Sequence, residues 1–115
     1  MTGAELEALA ERVEREGPSR DMDAAIARAI GWRQHPMVEG FAVAPSWTTS
    51  LDAAVTLVPD GWWWLVGTMD CRSKGCAEIY RDAPGNERWW CYAKTPAAAL
   101  TAAALRARAQ EARND

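Results

Sequence analysis

The residues of this chain best suited to chemistry are Cys71, Cys76, Cys91 and the single histidine, His35. Thiolates and imidazole are zinc ligands, but structural zinc sites bring four ligands in tight pairs, and Cys71-x4-Cys76 with a distant Cys91 and His35 does not. No metal and no cofactor is expected. Cys71 or Cys76 could serve as a nucleophile with His35 as base, Arg72 and Lys74 lowering the thiol pKa. Nothing in the sequence resembles an oxyanion hole or a nucleophile elbow, so the expectation is that the chain is not an enzyme. Three thiols without an export signal read as free cysteines in a reducing compartment. Asp21, Asp23 and Asp52 stand where first helical turns are expected. Capping and the helix dipole account for carboxylates there without acid–base work.

The aromatic residues are the other chemical resource. Seven tryptophans stand beside one Phe and two Tyr. Indole combines a large apolar area with one N–H donor and serves cores and interfaces alike. Trp32, His35, Trp47, Trp63, Tyr80 and Trp90 are the candidate partner- or ligand-binding residues. The competing reading is that bulky indoles fill a core short of Phe and Leu.

These residues must be positioned by one small domain. At 115 residues there is room for a single unit, expected over 1–115. The net charge of −3 does not suit direct nucleic-acid binding, which needs clustered positive charge. No apolar run approaches the ~20 residues of a membrane span. The expected location is the cytoplasm of a bacterial host, as a monomer or homodimer.

Periodicity supplies the elements. Leu6, Leu9, Ala10 and Val13 recur at helical spacing and predict a helix over 4–16, ended by Gly17-Pro18. Ser19 caps a second helix over 20–30, with Gly31 as its stop. Residues 31–47 are irregular, yet Trp32, Phe41, Val43 and Trp47 make them too apolar for a free linker. Thr49 and Asp52 have capping-box spacing and predict a third helix over 49–58. Strands are predicted over 62–69, 76–81 and 88–93, joined by short polar turns as an antiparallel meander. Thr95-Pro96 opens a last helix over 95–112, whose small stripe of Ala97, Ala104 and Ala107 permits close approach to the sheet or another helix. In the first strand Trp62, Trp64 and Val66 point one way, while Trp63, Leu65 and Met69 point the other. Apolar side chains on both faces predict helices on both sides. The expected class is α+β, a three-stranded antiparallel meander sandwiched by helices in the order ααα-βββ-α.

Three segments together carry a resemblance. They are Asp21-Met22-Asp23-Ala24-Ala25-Ile26-Ala27, then Pro45-Ser46-Trp47-Thr48-Thr49-Ser50-Leu51-Asp52-Ala53-Ala54 leading to Pro59-Asp60-Gly61-Trp62, then Ala93-Lys94-Thr95-Pro96-Ala97 leading to Leu105-Arg106-Ala107. Across roughly residues 19–108 the chain resembles the phage α/β/α sandwich domain family, small proteins of phages and prophages. The resemblance implies the sandwich fold and a phage setting, and it implies no reaction and no catalytic residue. The Trp62-Trp63-Trp64 run and the Cys71–Cys76 loop depart from the family pattern. The expected function is that of a non-enzymatic accessory protein that binds a host or phage protein, in one form as an inhibitor of a host defence complex such as CRISPR machinery. The first alternative is a small-ligand binder with an aromatic pocket between the irregular loop and the sheet. The second is a thiol-dependent enzyme.

Overall fold

The computed structural model describes residues 2–32, 44–69, 74–82 and 87–114. Helix α1 spans Gly3–Glu16 and starts at a reciprocal capping box. The Glu5 amide donates to Thr2 Oγ1 at 3.2 Å, and the Glu5 carboxylate accepts from the Thr2 amide at 3.4 Å. Helix α2, Arg20–Ile30, begins where Ser19 accepts from the Met22 amide at 3.0 Å. It ends at Gly31 in the left-handed region (φ 72°), a conformation open to glycine at little steric cost.

Helix α3 is shorter than the periodicity suggests. It spans Leu51–Val55, and its cap is Ser50 rather than Thr49. Residues 46–50 close a turn of their own, in which the Ser50 amide donates to Ser46 O at 2.8 Å. After Val55 the chain tightens, with Thr56, Leu57 and Val58 each donating to the carbonyl three residues back.

Strands β1 (Trp63–Met69), β2 (Lys74–Tyr80) and β3 (Arg88–Ala93) form an antiparallel sheet in the order β1-β2-β3. Helix α4, Pro96–Asn114, completes the expected ααα-βββ-α order of an α+β fold.

The sheet and helices stack as an α+β sandwich with α4 as its filling. Every residue from Ala97 to Leu105 is buried, because the sheet covers α4 on one side while α1 and α3 cover the other. Alanines at 98, 99, 102 and 103 let both neighbours approach closely. Gly75 shows how close: a Cβ there would lie 2.1 Å from the Thr95 carbonyl carbon. Leu6, Leu9 and Val13 of α1, Met22 and Ile26 of α2, Trp47, Leu57 and Ile79 join α4 in one core. Two ion pairs tie α1 to α4. Arg113 grips Glu7 through both oxygens at 2.9 and 2.7 Å, and Arg106 pairs with Glu14.

Among the described residues, the helical cover expected on both faces of the sheet is found on one. The α4 face holds Val66, Ala77, Ile79, Trp89, Cys91 and Ala93 against the core. On the opposite face Trp63, Leu65, Trp90 and Tyr92 stay exposed, because α1 and α3 pack behind α4 instead of across the sheet.

Candidate functional site

The register of the sheet decides which aromatics meet. Facing residues of neighbouring strands share a face. On the face away from α4, Trp63, Tyr80 and Arg88 form one cross-strand row. Leu65, Glu78 and Trp90 form the next, and Gly67, Cys76 and Tyr92 the third. Trp63 is 62% exposed, Leu65 60%, Trp90 56% and Tyr92 48%. At about 200 Å² per aromatic side chain, they present roughly 400 Å² of apolar surface, the size of patch that on a monomer is often functional.

This face also carries an organised polar centre. Glu78 lies in its middle row and is buried, shielded by its neighbours Leu65 and Trp90. Its carboxylate pairs with the Arg88 guanidinium at 3.5 Å, and Arg88 in turn lies over the Tyr80 ring at 5.0 Å. A notch of about 200 Å³, lined by Leu65, Gly67, Cys76, Glu78 and Trp90, opens beside the carboxylate. Gly67 leaves it room, since a Cβ there would meet nothing within 4 Å. The arrangement offers flat aromatic side chains around one buried acceptor.

The candidate residues therefore divide. Trp63, Tyr80 and Trp90 come together on the open face. Trp47 goes to the core, its indole Nε1 donating to Thr56 Oγ1 at 3.3 Å and its carbonyl accepting from the Thr101 hydroxyl at 2.7 Å. Trp32 is half-buried and meets Trp47 edge to face at 6.4 Å between ring centroids. Neither Trp32 nor Trp47 belongs to the open face, since both rings pack with the helices. His35 lies outside the described residues, as does Cys71. Leu65, Glu78, Arg88 and Tyr92 were missing from the candidate set. The alternation Arg88-x-Trp90-x-Tyr92 could have shown that Tyr92 accompanies Trp90.

The other chemical candidates are held in structural roles. Asp23 is fully buried and accepts from the Thr48 amide at 2.9 Å, the Thr48 hydroxyl at 2.8 Å and Arg20 at 2.9 Å. Asp21 and Asp52 are exposed in first turns. Cys76 and Cys91 are free thiols. They occupy opposite faces of the sheet, because Cys76 faces Tyr92 while Cys91 faces Ala77. Burial pushes the Cys91 thiol up to about 11, helped by the Glu14 carboxylate and opposed by Arg106. Among the described residues no group of three or more metal-ligating side chains gathers, and no helix is long and apolar enough to cross a membrane.

Two larger hollows lie between helices. One of about 370 Å³ is lined by Ala8, Leu9, Arg12, Ala25 and Arg28. The other, about 330 Å³, includes Arg108 and Glu111. In the second the polar groups are already engaged, Arg108 with Leu57 O at 2.8 Å and Glu111 with the Trp62 indole at 2.8 Å. A pocket between the irregular loop and the sheet would involve residues outside those described. No protein-family model matches the sequence, and neither the curated proteins nor the solved structures contain a match.

Proposed function

We propose that this chain is a non-enzymatic protein-binding domain that receives its partner on the open face of the sheet. The observation that carries the reading is the set Trp63, Leu65, Trp90 and Tyr92 around the buried Glu78, which pairs with the exposed Arg88. About half or more of the surface of each of these aromatics is left open to solvent, and indole and tyrosine are among the commonest anchors of protein interfaces. The phage setting, with a host defence complex as the partner, is a proposal that rests on the three segments resembling the phage sandwich domains. It agrees with a small acidic protein acting by occupancy rather than catalysis.

The test is capture from bacterial lysate followed by titration of the purified captured protein against wild type, Trp90→Ala and Trp63→Ala. An interface anchor contributes about 2 kcal/mol or more, so each substitution should weaken binding on the order of thirtyfold while leaving the fold intact. Unchanged affinity in both variants would remove the open face from the reading. Failure to bind any protein across several hosts would count against the function itself.

A further inference from the structure

A second feature of the sheet points beyond partner docking. Among the described residues strand β1 is an edge strand, since it pairs there with β2 alone in the three-stranded sheet. From Trp63 to Met69 it contains no charged residue and no proline. Natural edges are normally blunted by such residues, by bulges or by a covering element, because an open edge presents unpaired backbone donors and acceptors. The other edge is treated differently. Strand β3 begins with Arg88, and α1 packs beside it, so that Glu14 and Arg15 lie near Tyr92 and Lys94.

The exposure along β1 is unusual in one respect. Trp63 and Leu65 are exposed on the open face, but Trp64 is also 37% exposed although it shares the α4 face with buried Ile79. Helix α4 lies chiefly over β2 and β3 and covers β1 less. The sheet layer and the helix-side layer therefore both stop short at the same edge.

We infer that β1 pairs with β1 of a second copy of this chain, giving a two-fold dimer with a continuous six-stranded sheet. A bare peptide strand would satisfy the backbone but leave Trp64 uncovered. An identical copy brings its own Trp64 and Val66 beneath the joined sheet, and a two-fold axis makes the contact self-complementary. The area is adequate but modest. The exposed parts of Trp63, Trp64 and Leu65, with the strand backbone, allow about 1,000 Å² to be buried over both copies, near the lower bound for a specific interface. The dimer is accordingly weak and reversible, with a dissociation constant on the order of micromolar. Joining the sheets would also set the two open faces side by side, with the Trp90 and Tyr92 rings of both copies left free on one continuous surface. That last consequence rests on the proposed docking role, and the dimer itself does not.

The experiment is sedimentation equilibrium of the full chain across concentration, with Trp64→Lys and Thr68→Lys on the β1 edge and Trp90→Ala on the open face. Wild type should move from 12.6 kDa toward twice that mass. Each edge variant should raise the dissociation constant at least tenfold, while Trp90→Ala should change it less than about threefold. In amide exchange, wild-type protection over 63–69 should rise with concentration and protection over 88–93 should not. This measurement decides the question if the edge variants do not fold. A single 12.6 kDa species up to ~0.5 mM overturns the inference. So does exchange independent of concentration, or a dimer that Trp90→Ala disrupts and the edge variants do not. Because Trp64 and Thr68 lie off the open face, loss of dimer with retained partner binding separates this failure from failure of the docking reading.

Discussion

Replacing Asp23 by alanine should be among the most damaging single changes outside the apolar core. The carboxylate is fully buried, and each of its oxygens has a donor. Oδ1 accepts from the Thr48 amide and hydroxyl, while Oδ2 accepts from Arg20, which also reaches Ser46 Oγ at 3.0 Å and Ala44 O at 2.7 Å. Truncation leaves the fully buried Thr48 amide without an acceptor, a loss of about 1–3 kcal/mol. Losing the bonds to an ionised acceptor raises the total to about 3 kcal/mol. Half-exposed Arg20 can turn to water, which limits the damage on that side. At about 4 °C per kcal/mol for a domain of this length, Tm should fall roughly 12 °C. Asp23→Asn keeps the Oδ1 acceptor and the shape, so it should lose only about 1 kcal/mol. Urea denaturation monitored by circular dichroism gives both values. A loss under about 1 kcal/mol for Asp23→Ala, or equal losses for both variants, would refute the assignment of this carboxylate to holding 44–48 against α2.

Other consequences follow from the same structure. Trp47→Ala empties a buried site and should destabilise by about 3–5 kcal/mol, whereas Trp90→Ala should stay within about 0.5 kcal/mol; similar losses in chemical denaturation would contradict the division of tryptophans between core and open face. With its pKa raised to about 11, Cys91 should remain a protonated, shielded thiol at pH 8. Peptide mapping after iodoacetamide should show it modified only in denaturant, and modification of native protein as fast as Cys76 would contradict the burial. The Arg113 hydrogen bond holds the Glu7 carboxyl below its usual value of 4.5. A depressed folded pKa stabilises fully above the unfolded value and is lost as pH falls through the folded one, so this contribution is constant near neutrality and fades below about pH 4.5. Glu7→Gln should therefore show a shallower stability loss in acid than wild type, and parallel acid titrations would argue against the pair.

Much of the local architecture was legible in the residues. The apolar stripe of α1, the Ser19 cap and Gly31 stop of α2, and the proline start of α4 are short-range signals that operate within one or two turns. The alternation in β1 was legible too, because side-chain direction along a strand has a period of two. The start of the third helix is ambiguous in the sequence, because a hydroxyl at 49 and one at 50 are both competent caps. The choice fell to Ser50 through the preceding turn, in which its amide is committed to Ser46. The candidate site was half legible: Trp63, Tyr80 and Trp90 were identified by type, but so were Trp32 and Trp47, which pack with the helices.

The sequence by itself determined the element order, the α+β class and the fact that β1 carries large apolar side chains on both faces. It could not determine which face is covered, because cover depends on where α4 and its neighbours stack, a matter of contacts remote in sequence. Tertiary structure placed α1 and α3 behind α4 rather than across the sheet, since an alanine-rich helix can be approached closely from both sides. That choice left Trp63, Leu65, Trp90 and Tyr92 in water and Trp47 and Trp62 inside. Indole has the same chemistry in either place, and the register and the stacking decide whether it packs or awaits a partner.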